Sequence, residues 1–145
     1  MEVRYGIHYN AANERLYRRL RLIFDTLSIV TGSAAFGGWL ADKPGLIAWA
    51  GLAIALISAV NQIISPAEAA AKHNEAYRAF TDLNARAENM TTAEIGVEIA
   101  RIRAGAPWGV DALGNVAFNR CLTANGYTEG LLPVSGWQRM VSFFS

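Results

Sequence analysis

Two long apolar runs dominate the first half of the chain. The first covers about residues 22–41 and contains one charged residue, Asp25. The second, about residues 46–65, lies within a stretch from Pro44 to Ala67 that has no charged residue. A helix of ~20 residues spans the ~30 Å hydrocarbon core of a bilayer. The pattern predicts two transmembrane helices, with a soluble helical hairpin buried by partner subunits as the alternative.

Basic residues predict the orientation of these runs. The short turn sequence Asp42-Lys43-Pro44-Gly45 joins them, so the two helices are expected to be antiparallel neighbours. Arginines and lysines flank the pair on the side away from this turn, at Arg15, Arg18, Arg19, Arg21, Lys72, Arg78 and Arg86. Because basic residues stay on the cytoplasmic side, both termini are predicted to be cytoplasmic and residues 42–45 to lie on the far side.

The arginine cluster before the first run has two possible interpretations. Beside a membrane span, Arg15, Arg18, Arg19 and Arg21 are expected to lie against anionic lipid headgroups, each contributing on the order of 1 kcal/mol. Nucleic-acid binding is the competing reading, and the adjoining apolar run disfavours it. The predicted partner is therefore the lipid bilayer, with no nucleic acid.

Small residues recur at helical spacing within both runs. They occupy Ser28, Gly32, Ser33 and Gly37 in the first run and Gly51, Ala55 and Ala59 in the second. Small residues four positions apart allow helix backbones to approach closely in lipid. Either these faces close the two helices on each other, or one face does so while another assembles several copies. The second possibility predicts a homo-oligomer.

Polar residues form a predicted layer within the spans. Counting outward from the turn, antiparallel helices place Asp25 at about the depth of Asn61 and Gln62, with Ser28 and Ser58 one turn deeper. Ionisable groups inside a membrane usually face protein or water. The layer is expected to be either an interfacial anchor in which Asp25 pairs with Arg21, or a ring that lines a pore or a subunit contact.

The helices are predicted to continue beyond the membrane. Ser65 to Glu68 has the pattern of a capping box, with Pro66 at the first helical position. A coiled-coil-like seam follows at intervals of three and four, formed by His73, Ala76, Phe80, Leu83, Ala87 and Met90. The N-terminal segment has a similar rhythm at Tyr9, Ala12, Leu16, Leu20 and Ile23. Residues 1–90 are therefore predicted to form one unit, in which His73 packs in a helix contact.

A small helical tail is predicted for residues 91–145. Its first helix opens at a capping box, Thr91 to Glu94, and the second is expected to be capped by Asp111 and stopped by Asn125-Gly126. Val116, Ala117 and Cys121 are predicted to face inward in that second helix. A last short helix carries Trp137, Met140, Val141 and Phe144 on one face, which either packs onto other helices or lies in the headgroup layer.

Composition agrees with an all-α membrane protein. Hydrophobic residues make up 52% of the 145 positions and charged residues 17%, against about 45–50% and ~25% in soluble proteins. The first apolar run follows several charges, so no cleaved leader is expected. The single cysteine excludes an internal disulfide, and the chain has no nucleotide-binding, metalloprotease or nucleophile-elbow motif. Neither an enzyme nor a bound cofactor or metal is predicted.

The order of these segments resembles a known family. A basic helix, two closely joined spans and the sequence PAEAAAKHNEAYRAFTDLNARAE resemble the SLATT family of bacterial two-transmembrane effector domains over about residues 10–90. The positions that carry the resemblance in the helix after the second span are His73, Ala76, Tyr77, Phe80 and Leu83. The resemblance implies a membrane-disrupting or pore-forming effector of a bacterial conflict system, triggered through a separate sensor protein or nucleotide synthase.

Two other classes fit the same pattern. A holin-like or superinfection-exclusion protein of a phage would share the two spans and the basic residues. A membrane adaptor or assembly factor that forms no pore would use the tail to bind a partner. All three classes predict a multi-pass protein of the bacterial inner membrane.

Overall fold

The computed structural model describes residues 1–31, Ser33, Gly37 and residues 44–145, and its regular elements over these residues are helical. The helices are α1 (Glu2–Thr31), α2 (Pro44–Ile64), α3 (Pro66–Arg86), α4 (Thr92–Gly105), α5 (Gly114–Ala124) and α6 (Gly136–Phe143). Two short 3₁₀ turns, Ala87–Asn89 and Asp111–Leu113, precede α4 and α5. The all-α class predicted from the sequence is therefore confirmed for the described residues.

The long pairing of α1 with α3 organises the structure. Phe80 lies against Gly6, and His73 contacts Asn10 one turn further along α1, so the two helices run antiparallel. Val3 and Ile99 complete a buried cluster around Phe80, which is 2% exposed. This cluster also brings α4 onto the pair, because Ile99 belongs to α4.

A second core holds the C-terminal segments against the middle of α1. Ala12 and Leu16 of α1 pack with Leu113 and Val141, which belong to the second 3₁₀ turn and to α6. Helix α5 also packs on α1, and it buries its face at Val116, Ala117, Cys121 and Leu122. Both cores therefore combine residues from positions 1–90 with residues from the tail.

Several local predictions about the helix ends are confirmed. At the start of α4 the Thr91 hydroxyl accepts a hydrogen bond from the Glu94 backbone N–H at 3.3 Å, and the Glu94 carboxylate accepts one from the Thr91 N–H at 2.7 Å. Asn125 ends α5, and Gly126 after it has a φ of 81°, a left-handed conformation that glycine adopts without steric cost. A second capping box, formed by Ser135 and Gln138, opens α6.

Two predicted caps are wrong. Ser65 does not cap α3, since its backbone is left-handed, with a φ of 44°, and its hydroxyl donates instead to the Gln62 carbonyl at 2.9 Å. Pro66 disfavours the right-handed helical conformation for the residue before it, which accounts for the break at this position. Asp111 does not cap α5 either, because it begins the 3₁₀ turn that precedes Gly114.

Candidate membrane-spanning site

Helix α2 presents its apolar side chains to the surroundings. Most of α2 continues through Ser65 into α3, so that residues 49–89 can be taken as one long helix. By length and composition, it is the one helix among the described residues that could cross a membrane. Only 6% of its most apolar 18-residue window is buried. The large exposed side chains of α2 are Ile47, Trp49, Leu52, Leu56, Val60, Ile63 and Ile64. A core helix of a soluble domain would cover such residues, so this helix needs lipid or another protein around it.

The C-terminal third of α1 is exposed in the same way. Its uncovered apolar residues are Leu22, Ile23, Leu27, Ile29 and Val30. This part belongs to the first predicted span, and α1 is in contact with α2. Most of the remainder of that span, with Gly32 and the predicted turn at Asp42 and Lys43, lies outside the described residues.

The residues of the predicted polar layer are not gathered into one cluster within the described chain. Asp25 pairs with Arg21 on the same helix at 3.4 Å, and both side chains are more than half exposed. An exposed pair of this kind contributes only about 0–1 kcal/mol. Ser28, Ser58 and Gln62 are exposed and Asn61 is half-buried, and no hydrogen bond among the described residues joins the five.

The predicted small-residue faces are open in the single chain. Gly51, Ala55 and Ala59 are all exposed, as is Ser28 on α1. A Cβ atom added at Gly51 or Gly37 meets no described atom within 4 Å. The space at these positions is therefore available to another helix or to lipid.

The four predicted headgroup arginines differ in their surroundings. Arg18 pairs with Glu14 at 3.3 Å and Arg21 with Asp25. Arg19 donates from Nη1 to the Phe143 carbonyl at 2.6 Å, so the end of α6 is fastened to α1 three residues before the first apolar run. Arg15 is exposed and contributes positive charge near His8 and Arg120.

Of the predicted seam, His73, Ala76, Phe80 and Leu83 are buried. Ala87 and Met90 are half-buried and lie beyond the end of α3 at Arg86. His73 is fully buried, stacks on Tyr17 with ring centroids 5.6 Å apart, and places Nδ1 2.9 Å from Asn10 Oδ1. The Asn10 amide nitrogen donates to the Gly6 carbonyl, so Oδ1 faces His73 and Nδ1 carries the proton. The imidazole is thus a packed donor rather than an exposed ligand.

The electrostatic environment of His73 favours its neutral form. Burial lowers the pKa of His73 from its ordinary value of 6.5. The backbone of Trp108 partly opposes this lowering, although Nε2 has no hydrogen bond of good geometry within the described part of the chain. Protonating this histidine therefore costs stability.

Sequence reasoning missed the two buried asparagines of α1. Asn13 is fully buried, accepts a hydrogen bond from the Val110 N–H at 2.8 Å and donates one to the Tyr9 carbonyl at 2.9 Å. It thereby fastens the connection between α4 and α5 to α1. The available signal was the spacing of Asn10 and Asn13, one helical turn apart and beside the apolar rhythm of α1.

The described residues contain no group of three or more histidine, cysteine or acidic side chains that could hold a metal ion. Comparison with known proteins gives no match to a family model, to a curated protein or to a solved structure. Over the residues that the structure describes, the chain is all-helical and contains one helix long and apolar enough to cross a membrane.

Proposed function

We propose that the chain is a small integral membrane protein of the SLATT-like type, which assembles into an oligomeric pore or membrane-perturbing effector of a bacterial or phage conflict system. The observation that carries the proposal is the exposure of α2, whose apolar window is 6% buried, whereas α3, which follows it, buries one face against α1. Both termini and the packed helices lie in the cytoplasm on this proposal, and two spans cross the inner membrane.

The packing of α1 against α3 supports antiparallel spans. Gly6 lies opposite Phe80 and Asn10 opposite His73. If this register continues along α1 and α2, Asp25 falls opposite residues 58–61, which contain Ser58 and Asn61. The polar layer would then sit at one depth in each copy, close to the arginines at the cytoplasmic face.

Assembly is proposed to use the small-residue face of α2. Replacing Ala55 with leucine should force neighbouring helices apart, because the face is open in one chain and suited to close backbone approach. Ala53→Leu is the matched control, since Ala53 is also exposed and lies about 200° around the helix from Ala55. Crosslinking in native membranes should show fewer oligomers for Ala55→Leu alone. Equal crosslinking of both variants and the wild type would mean that this face contacts lipid.

Conduction is proposed to pass the Asp25 layer. A ring of carboxylates at a pore mouth favours cations. Purified protein in liposomes should therefore carry a cation flux that Asp25→Asn weakens or makes less selective, without lowering the amount inserted. Glu14→Gln is the control, because it also removes a carboxylate from α1 but lies outside the apolar run. If oligomers form and wild type and Asp25→Asn are equally impermeable, with and without a nucleotide trigger, the pore proposal fails.

A membrane adaptor without a pore is the second candidate. It is favoured by the folded tail, which is fastened to α1 by Asn13 and Arg19 and leaves Trp108 95% exposed. An exposed tryptophan on a firmly held connection is suited to contact with another protein. In the pore proposal the same surface would receive the sensor or trigger protein. Impermeable liposomes together with specific capture of a partner through Trp108 would favour the adaptor.

A further inference from the structure

A groove runs between α5 and α6 on the side of the helical body. Arg120 and Thr123 line it from α5, Arg139 and Ser142 from α6, and Val134 from the connection between these helices. Asn119 fixes that connection, because its side chain accepts from the Leu132 N–H at 2.8 Å and donates to the Leu132 carbonyl at 2.9 Å. The walls are therefore held in place by hydrogen bonds and by the capping box that opens α6.

The groove is positively charged and lacks a countercharge. None of its lining residues is acidic, and neither Arg120 nor Arg139 takes part in an ion pair among the described residues. The arginines at positions 18, 21, 86 and 101 each have an acidic partner on their own helix, whereas those at positions 4, 15, 19, 78 and 103 have none among the described residues. The groove differs in that two arginines without an acidic partner share one lining. Two arginines on facing helices with no carboxylate between them are an arrangement that suits an anionic ligand.

Helix α1 places further positive charge near Arg120. The positive charges of Arg120 and Arg15 reinforce burial in lowering the pKa of His8. Burial and the charge of Arg15 likewise lower the pKa of Arg120. No acidic group contributes to either shift, so the cations of α1 and α5 repel one another and an anion nearby would relieve that repulsion.

One donor of Arg120 is unsatisfied. Its Nη1 atom is shielded from solvent and has no hydrogen-bond partner among the described residues. A buried charged donor without an acceptor is costly, and such atoms in folded proteins call for a specific explanation. Arg120 also lines the groove, so an anion bound there would offset the positive charge of this guanidinium.

We propose that this groove binds a phosphate group, held by the guanidinium groups of Arg120 and Arg139. Two guanidinium groups can each give paired hydrogen bonds to phosphate oxygens. The Thr123 hydroxyl lies in the same lining, whereas the Ser142 hydroxyl already donates to the Arg139 carbonyl at 2.8 Å. Val116 and Val134 supply an apolar wall beside the charged one. The shared chemistry is a phosphate monoester or diester, which comes either from an anionic phospholipid headgroup or from a free phosphorylated molecule. This inference does not depend on the pore, because binding is measured without any flux.

The test uses the full chain in an uncharged detergent and follows its thermal unfolding. One arm titrates inorganic phosphate against chloride at equal ionic strength. The other arm adds phosphatidylglycerol to the micelles, with phosphatidylcholine as the reference. At least one arm should raise the unfolding midpoint, and Arg120→Gln and Arg139→Gln should each need about tenfold more ligand for the same rise. A response to phosphate identifies a free anion site, and a response to phosphatidylglycerol alone identifies a headgroup site.

Arg86→Gln is the matched control. It removes the same charge, but Arg86 pairs with Asp82 at 2.8 Å on α3, away from the groove, so its response should equal that of the wild type. Arg139 is exposed, and Arg139→Gln should keep the helix content of the wild type by circular dichroism even if Arg120→Gln does not fold. The proposal is overturned if neither ligand stabilises the wild type, or if Arg139→Gln and Arg86→Gln respond as the wild type does.

Discussion

The contact between Gly6 and Phe80 makes a sharp prediction about the packing of α1 on α3. A Cβ atom placed on Gly6 would lie 2.7–2.8 Å from three carbons of the Phe80 ring, whereas carbon atoms in good contact are about 3.5–4.0 Å apart. Phe80 is 2% exposed and packs in a buried cluster with Val3, Leu83 and Ile99, so displacing its ring disturbs that cluster. Gly6→Ala should therefore push α1 and α3 apart.

The magnitude follows from two opposing effects. Overpacking a core costs about 1–3 kcal/mol, and replacing a helical glycine with alanine gains roughly 0.5–1 kcal/mol in helix propensity. Taken at mid-range, the net loss in free energy of unfolding is about 1 kcal/mol, which lowers the thermal midpoint by roughly 2–4 °C. Thermal unfolding in detergent, followed by circular dichroism, measures this change.

Gly96→Ala is the control for this experiment. Gly96 lies inside α4, and a Cβ atom there meets nothing within 4 Å among the described atoms. The same substitution should therefore raise the midpoint at position 96 and lower it at position 6. If Gly6→Ala is as stable as the wild type or more so, the close antiparallel contact of α1 with α3 is wrong.

Two further predictions concern the buried polar groups of this contact. Asn13→Leu should destabilise the fold by about 1–3 kcal/mol, because the Val110 N–H loses its hydrogen-bond acceptor. Hydrogen exchange at the Val110 amide should then be faster, and an unchanged exchange rate would refute this role of Asn13. Because the folded-state pKa values of His73 and His8 are below 6.5, stability should be fully present above pH 6.5 and fall as the pH drops towards those lower values. In a pH series of unfolding curves, His73→Gln should flatten this fall more than His8→Gln does, and identical slopes would contradict the burial of His73.

Local features of the fold were the most predictable from the sequence. The capping box at Thr91 and the stop at Asn125-Gly126 depend on neighbouring residues only, and both are present in the structure. The three-and-four spacing of His73, Ala76, Phe80 and Leu83 likewise identified a helix face that the structure buries. At Ser65 the preference of serine for the N-cap position competes with the backbone restriction that Pro66 places on the residue before it. Ser65 adopts a left-handed conformation and does not cap α3.

Contacts between distant parts of the chain were beyond sequence reasoning. Asn13 and Val110 are 97 positions apart, and nothing in either segment specifies the other. The same holds for the groove that Arg120 and Arg139 both line, since it depends on hydrogen bonds between the Asn119 side chain in α5 and the backbone of Leu132 in the connection to α6. In the last helix the predicted face contains Val141, which is buried, whereas Trp137 remains 63% exposed. Periodicity alone does not tell which part of an apolar face is covered.

Cysteine labelling in native membranes measures whether α2 crosses a bilayer. The starting variant is Cys121→Ala, which removes the single natural thiol. One cysteine at a time is then introduced, in place of Leu56 in α2, of exposed Val97 in α4 or of Lys43. A membrane-impermeant maleimide should label position 43 in intact spheroplasts, position 97 only in inverted vesicles, and position 56 in neither until the membrane is dissolved. If position 56 is labelled in intact membranes as readily as position 97 is in inverted vesicles, α2 does not cross the bilayer.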